Sequence, residues 1–284
     1  MFTFKYNEIN IENLYKYKYK IRIRLKYEKV MSVISNVKQL KENNFFIFIP
    51  RSNKLEPIKT NFYVKLEDLL EINYQKDVVL KNTKNFLENK SSNNILLWGA
   101  KGMGKSSLVK CIVDYCNKEF NKDLKVVEVL NNNVEHLIDI VYQLSKYKYK
   151  FIIFIDDISF KDNDHNFSLF KTLIEGSLLS HVENVRYYIT SNLRHLSHQS
   201  TDISNNDIEN KENTQNLISL SDRFGCWVGF YDSNQEQYIN IVKYYLKKNS
   251  IKFSKHLERK ALNWSIEKGN FSGRTAQQFV KNLK

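Results

Sequence analysis

Residues 99–106 read GAKGMGKS, which matches G-x-x-x-x-G-K-[ST] without a gap. The flanks supply the context that a phosphate loop needs. NNILLWG (93–99) contains a short buried strand over 95–98, and a helical pattern starts at Lys105 and runs to about Glu119. Backbone that wraps a phosphate with its N–H groups turned inward requires glycine, and a helix N-terminus adds partial positive charge to the same anion site. The nucleotide-binding candidates are therefore Gly99, Ala100, Lys101, Gly102, Met103, Gly104, Lys105, Ser106 and Ser107. Lys105 is assigned to the β/γ-phosphates and Ser106 to Mg²⁺. A chain with this loop between a strand and a helix binds a nucleoside triphosphate.

Downstream, FIIFIDD (151–157) is an apolar strand that ends in two acids. Such a strand places a carboxylate at its C-terminal edge, beside the phosphate loop. Asp156 is positioned to hold Mg²⁺ through its waters, and Asp157 to orient or deprotonate an attacking water. YYITSN (187–192) is a further strand ending in Asn192, which can polarise that water; an Asn that simply starts a turn is the competing reading. SLSDRFG (219–225) puts Arg223 just before a last strand, CWVGF (226–230), and SGRTAQQF (272–279) puts Arg274 at the start of a helix. A lone Arg is usually a solvated charge, but these two stand where a P-loop protein uses one.

Between these motifs the pattern alternates. Helices are predicted over 75–88, 133–146 and near 166–179, and strands over 124–130 and 186–190. Short apolar strands separated by helices indicate a parallel sheet covered on both faces, an α/β architecture. Three zones follow: an N-terminal accessory region over 1–65, a core over 66–231 and a small helical lid over 232–284. The first zone carries a candidate strand at 44–49 and a loop between Pro50 and Pro57. In the third, Ser233 with Glu236 is predicted to form a capping box for a helix through Lys248. A second helix spans 254–268 and ends at Gly269, and a third begins after Gly273. The polar stretch 197–217 reads as a long surface loop.

The chain has 284 residues and a formal net charge of +13. Such a balance points to a polyanionic partner such as nucleic acid. Only 8 Gly and 2 Pro occur, however, and an AT-rich coding sequence produces the same skew toward Lys, Asn, Ile and Tyr. The stretch YKYKYKIRIRLKY (15–27) carries the same ambiguity. Its period of two predicts a strand with Tyr15, Tyr17, Tyr19, Ile21, Ile23 and Leu25 on one face, and a nucleic-acid- or partner-binding arm is the alternative. YKYKF (147–151) repeats the string in miniature, as a loop running into the strand at 151–155. Cys111, Cys116 and Cys226 lack CxxC spacing, so neither a disulfide framework nor a zinc site is expected. No signal peptide or membrane-spanning run is read, and a cytoplasmic protein is expected.

The ordered set GAKGMGKS, FIDD, TSN, SDRFG and SGR resembles an AAA+ ATPase. NNILLWGAKGMGKSSLVK, DDISF, EGSLL, TSNLRHL and SLSDRFGCWVGFY are similar to a bacterial AAA+ family catalogued only as a domain of unknown function. The resemblance covers roughly 66–284. It implies a P-loop NTPase αβα sandwich with a five-stranded parallel sheet and a helical lid, with ATP and Mg²⁺ as cofactors. It makes Asp156 and Asp157 the Walker B pair and Asn192 sensor 1. Arg223 becomes the candidate arginine finger acting on a neighbouring copy's ATP, and Arg274 the candidate sensor 2. One position departs from most AAA+ proteins, which carry Glu where this chain has Asp157; the look-alike family shares the Asp. The shorter side chain reaches the water less well, so hydrolysis is expected to be slow unless Glu175 assists. Three functions follow. A homo-oligomeric ATPase could remodel or load a nucleic-acid or protein client. An ATP-switched binding module could do so with little hydrolysis, and a P-loop phosphotransferase is the third.

Overall fold

A computed structural model describes residues 33, 34, 36–59, 64–120, 123–158, 174, 182–192 and 224–283. The alternating stretch 15–27, the polar stretch 197–217, Glu175 and Arg223 lie outside the described residues, as does the helix expected near 166–179 apart from Ile174.

Seven strands form one sheet: β1 (Phe45–Ile49), β2 (Lys54–Pro57), β3 (Ile95–Gly99), β4 (Leu124–Glu128), β5 (Lys150–Ile155), β6 (Val185–Ser191) and β7 (Cys226–Phe230). Their order is β2-β1-β4-β5-β6-β3-β7, and every neighbouring pair is parallel except β1 with β2. The central strands are largely apolar because both faces of the sheet are covered. Along β5, Phe151, Ile153 and Ile155 enter one core while Ile152 and Phe154 enter the other. Helices α2 (Asn73–Leu87) and α3 (Lys105–Glu119) cover the second face, contributing Val79, Phe86, Leu108 and Ile112. Helix α4 (Leu137–Leu144) covers the first with Leu137, Ile140, Val141 and Leu144. This is the αβα sandwich expected of a P-loop NTPase.

The sheet is larger than the five strands expected. FFIFI (45–49) pairs in parallel with β4, Phe45 opposite Val126, and carries β2 antiparallel on its outer side. Two features hold it there. Phe46 and Phe48 bury in the same core as Val127 and Ile153. Lys125 on β4 has no exposed surface; its Nζ donates to Asn44 Oδ1 at 2.8 Å and lies 3.7 Å from Asp123. A buried ammonium needs partners, and Asn44 supplies one only if β1 lies beside β4. A short helix α1 (Val37–Glu42) precedes β1, capped by the Asn36 side chain.

The helix expected over 133–146 is shorter. Asn131–His136 form a 3₁₀ turn with Asn133 outside helical geometry, and the α-helix begins at Leu137. Asn favours local turns over helix interiors, which accounts for the delay. Cys111 and Cys116 are buried on α3, and burial pushes both thiols up to about 12.

Beyond β7 come α5 (Gln235–Lys248), α6 (Lys255–Glu267) and α7 (Gly273–Lys281), packed around Tyr238, Val242, Leu246, Ala261, Ala276 and Phe279. The capping box of α5 uses Asn234 and Gln237 in place of the predicted Ser233 and Glu236. Ser233 is buried, with its hydroxyl 3.8 Å from Met103 Sδ, so it faces the phosphate loop and leaves capping to its neighbour. Ser254 and Ser272 cap the other two helices. Among the described residues, no helix is long and apolar enough to cross a membrane.

Candidate active site

The phosphate loop starts where β3 meets β7. Gly99 has φ +115°, and a Cβ there would stand 2.0 Å from the Phe230 carbonyl oxygen, so only glycine fits. Ala100 N–H donates to the same carbonyl at 2.7 Å, which pins the loop's first turn. Gly102 meets the lid: a Cβ on it would lie 2.7 Å from Ser272 Oγ, and Arg274 N–H donates to Gly102 O at 3.2 Å. The N-terminus of α7 is thereby bonded to the loop.

Lys105 opens α3 and is 5% exposed. Its Nζ donates to Gly99 O and Ala100 O at 2.8 Å and to Asn192 Oδ1 at 2.9 Å. Burial drives its pKa down to about 8. The Asp157 and Asp156 carboxylates act against that fall, whereas the Arg274 cation adds to it. Asn192 in turn donates through Nδ2 to the Asp157 carboxylate, so Lys105, Asn192 and Asp157 form one chain of hydrogen bonds. Ser106 Oγ donates to Asp156 Oδ1 at 2.5 Å. The structure thus brings Lys105, Ser106, Asp156, Asp157 and Asn192 together from three places far apart in sequence: the start of α3 and the segments just after β5 and β6.

The cleft that holds them has a volume of about 340 Å³ and also takes in Lys101, Met103, Ser107 and Arg274. Its other wall is apolar, made by Val64, Leu69, Ile72, Ile241 and Tyr245. A wider concavity of about 610 Å³ opens at the far ends of the strands, around Tyr147, Tyr149 and Glu183. It contains no phosphate-loop residue, so the smaller cleft is the candidate site.

The donor set suits a hard, oxygen-loving cation held mostly by phosphate and water. One hydroxyl (Ser106) and one carboxylate (Asp156) are adjacent, and among the described residues no group of three His, Cys, Asp or Glu side chains could form an all-protein metal cage.

Two residues escaped sequence reasoning. Thr190 Oγ1 donates to Asp156 Oδ1 at 2.6 Å and accepts from Asp157 N–H at 2.8 Å. A Thr inside a strand carries no distinguishing signal. Asp68 sits in a 3₁₀ turn (Leu66–Asp68) before α2 and is 2% exposed. It accepts from Lys65 N–H at 2.8 Å, Tyr244 OH at 2.6 Å and Lys248 Nζ at 2.5 Å, and its carbonyl accepts from Tyr245 OH at 3.3 Å. Burial raises its pKa, but the bonds from Lys248, Lys65 and Tyr244 outweigh burial and hold the carboxyl below its usual range. From sequence, this lone Asp reads as a surface charge.

The fold recurs in known structures. Aeropyrum pernix Orc1, solved in complex with DNA, superposes with a TM-score of 0.51 at 13% identity, over 80% of this chain and 67% of that one. The Thermotoga maritima RuvB Holliday junction branch migration motor gives 0.48 at 15% identity, over 77% of this chain and 63% of its own, so this chain spans less than two thirds of that motor. A chain of the E. coli MS115-1 HORMA:CdnC:Trip13 complex gives 0.49 at 12% identity, over 77% of this chain and 90% of that one. No curated protein matches. A family described as "Protein of unknown function (DUF815)" matches residues 41–284, a span that takes in β1 and every described residue of the cleft. The chain belongs to the DUF815 family and is built on the AAA+ P-loop fold.

Proposed function

We propose that this chain is an ATPase that binds ATP in the cleft between phosphate loop and lid, and couples its hydrolysis to work on a macromolecular partner. The observation that carries the reading is the linked set Lys105–Asn192–Asp157 beside Ser106–Asp156. Lys105 would exchange its bonds to the Gly99 and Ala100 carbonyls for β/γ-phosphate oxygens. Ser106 and Asp156 would hold Mg²⁺, which when bound neutralises charge developing on the phosphates. Asp157 and Asn192 would orient the attacking water. The apolar wall of Leu69, Ile72, Ile241 and Tyr245 suits a flat base, and Arg274 at the start of α7 would sense the phosphates from the lid.

Arg223 is assigned as a finger that completes the site of a neighbouring copy, so turnover per molecule should rise with protein concentration. A finger contributes roughly 10³–10⁵ in rate where it operates. Steady-state ATP turnover across a concentration series, with Arg223→Ala as the comparison, tests this directly. A variant that keeps wild-type turnover at every concentration removes the oligomeric reading.

A second reading rests on Asp157. Its carboxylate is one methylene shorter than Glu and is already engaged by Asn192. These features favour an ATP-switched binding module that hydrolyses little. The Orc1 relative is bound to DNA, and the net charge of +13 suits a similar partner here. Binding of DNA that tightens with ATP and falls steeply with salt, together with negligible turnover, would select this reading over the first.

A further inference from the structure

The turn that carries the two acids is sewn to β6 by four hydrogen bonds, and Thr190 makes three of them. Its hydroxyl donates to Asp156 Oδ1 at 2.6 Å and accepts from Asp157 N–H at 2.8 Å, and its carbonyl accepts from Ile158 N–H at 2.8 Å. The fourth runs from Ser191 Oγ to Ile158 O at 3.1 Å. Within this turn Asp157 adopts φ +55°, the left-handed region that non-glycine residues rarely occupy. Such a conformation persists only where the surroundings over-determine it. Thr190 is 2% exposed and lies at the cleft wall, with both functions of its hydroxyl engaged.

The consequence concerns reach. Asp157 is one methylene shorter than the Glu found in most AAA+ proteins, yet its carboxylate meets Asn192, two residues beyond Thr190 on the same segment. The left-handed turn directs the short side chain toward β6. We propose that Thr190 is a positioning residue: by bonding the Asp156 carboxylate and the Asp157 amide at once, it fixes the turn that lets an Asp serve where a Glu would otherwise be needed. The proposal rests on reading the cleft as a site of ATP hydrolysis.

Thr190→Val keeps the shape and removes both hydroxyl bonds. Its kcat for ATP should fall about 100-fold, the cost of a misplaced catalytic group, with KM changed by less than about threefold. Amide exchange at Asp157 should speed up by about tenfold or more, because that N–H loses its acceptor. Thr190→Ser restores the hydroxyl and should recover most of kcat and of the Asp157 protection. Thr190→Ala replaces the valine variant should the latter fail to fold. Wild-type kcat with unchanged Asp157 exchange in Thr190→Val overturns the proposal. So does a serine variant as impaired as the valine one, which would make the role one of packing. If wild-type protein binds ATP without turning it over, the hydrolase reading fails on its own. The Asp157 amide then still decides: faster exchange in Thr190→Val upholds the positioning role, and unchanged exchange removes it.

Discussion

Lys105 has three donors and three acceptors: two carbonyls of its own loop and the Asn192 side chain. Burial leaves it with a pKa near 8, whereas a lysine that grips phosphate must be charged. The sign follows. Below about pH 8 the free protein already carries the proton, and ATP affinity should be flat with pH. Above it, binding must take up a proton, and affinity should fall by up to about tenfold per pH unit. Calorimetry in buffers of different ionisation enthalpy measures that proton directly. Gly99 supplies a second prediction. Gly99→Ala drives a Cβ into the Phe230 carbonyl, so the fold should lose at least about 1–3 kcal/mol, seen as a lower melting temperature. Both residues were legible because G-x-x-x-x-G-K-S joins backbone chemistry to a spacing. Thr190 was not, since its importance lies in a contact across the sheet with residues more than thirty positions earlier.

Helices and strands were legible to the extent that their neighbours in sequence were also their neighbours in space. β3, which lies between β6 and β7, was legible from the phosphate loop that follows it, whereas the step from β4 to β5 follows that pattern, and so do the packed lid helices. β1 does not: it joins the sheet beside β4, which arrives some eighty residues later, and a buried Lys125–Asn44 bond helps hold the pair. The Asp68 turn is similar, since Lys248 and Tyr244 reach it from α5 at the far end of the chain. This contact ties the lid to the segment lining the cleft's apolar wall. Asp68→Asn should cost roughly 1.5–3 kcal/mol, the usual worth of hydrogen bonds to a charged group, and should loosen the lid as read by proteolysis. Its pH dependence has a definite sign. A carboxyl held below its ordinary value near 3.8 contributes stability that is fully present above that value and lost as pH falls through the lowered pKa. Wild-type and Asp68→Asn melting temperatures should therefore converge only under acid conditions below about pH 4.

At the scale of the whole molecule, core and lid meet at the phosphate loop through Gly102, Ser272 and Arg274, so a nucleotide in the cleft would touch both. The partner was not legible, because the positive charge that would name one is also what the composition alone produces. Asp157→Asn should retain ATP and hold a client long enough to co-purify, and affinity for DNA across a salt series separates true phosphate contacts from bulk charge. The central claim, that this cleft hydrolyses ATP, is tested most directly by turnover measured beside binding for wild type, Lys105→Ala and Asp157→Asn. The account predicts measurable Mg²⁺-dependent turnover in wild type, weak ATP binding in Lys105→Ala, and retained binding with turnover lowered at least about 100-fold in Asp157→Asn. Wild-type protein that does not bind ATP, or an Asp157→Asn variant that turns it over at the wild-type rate, would contradict it.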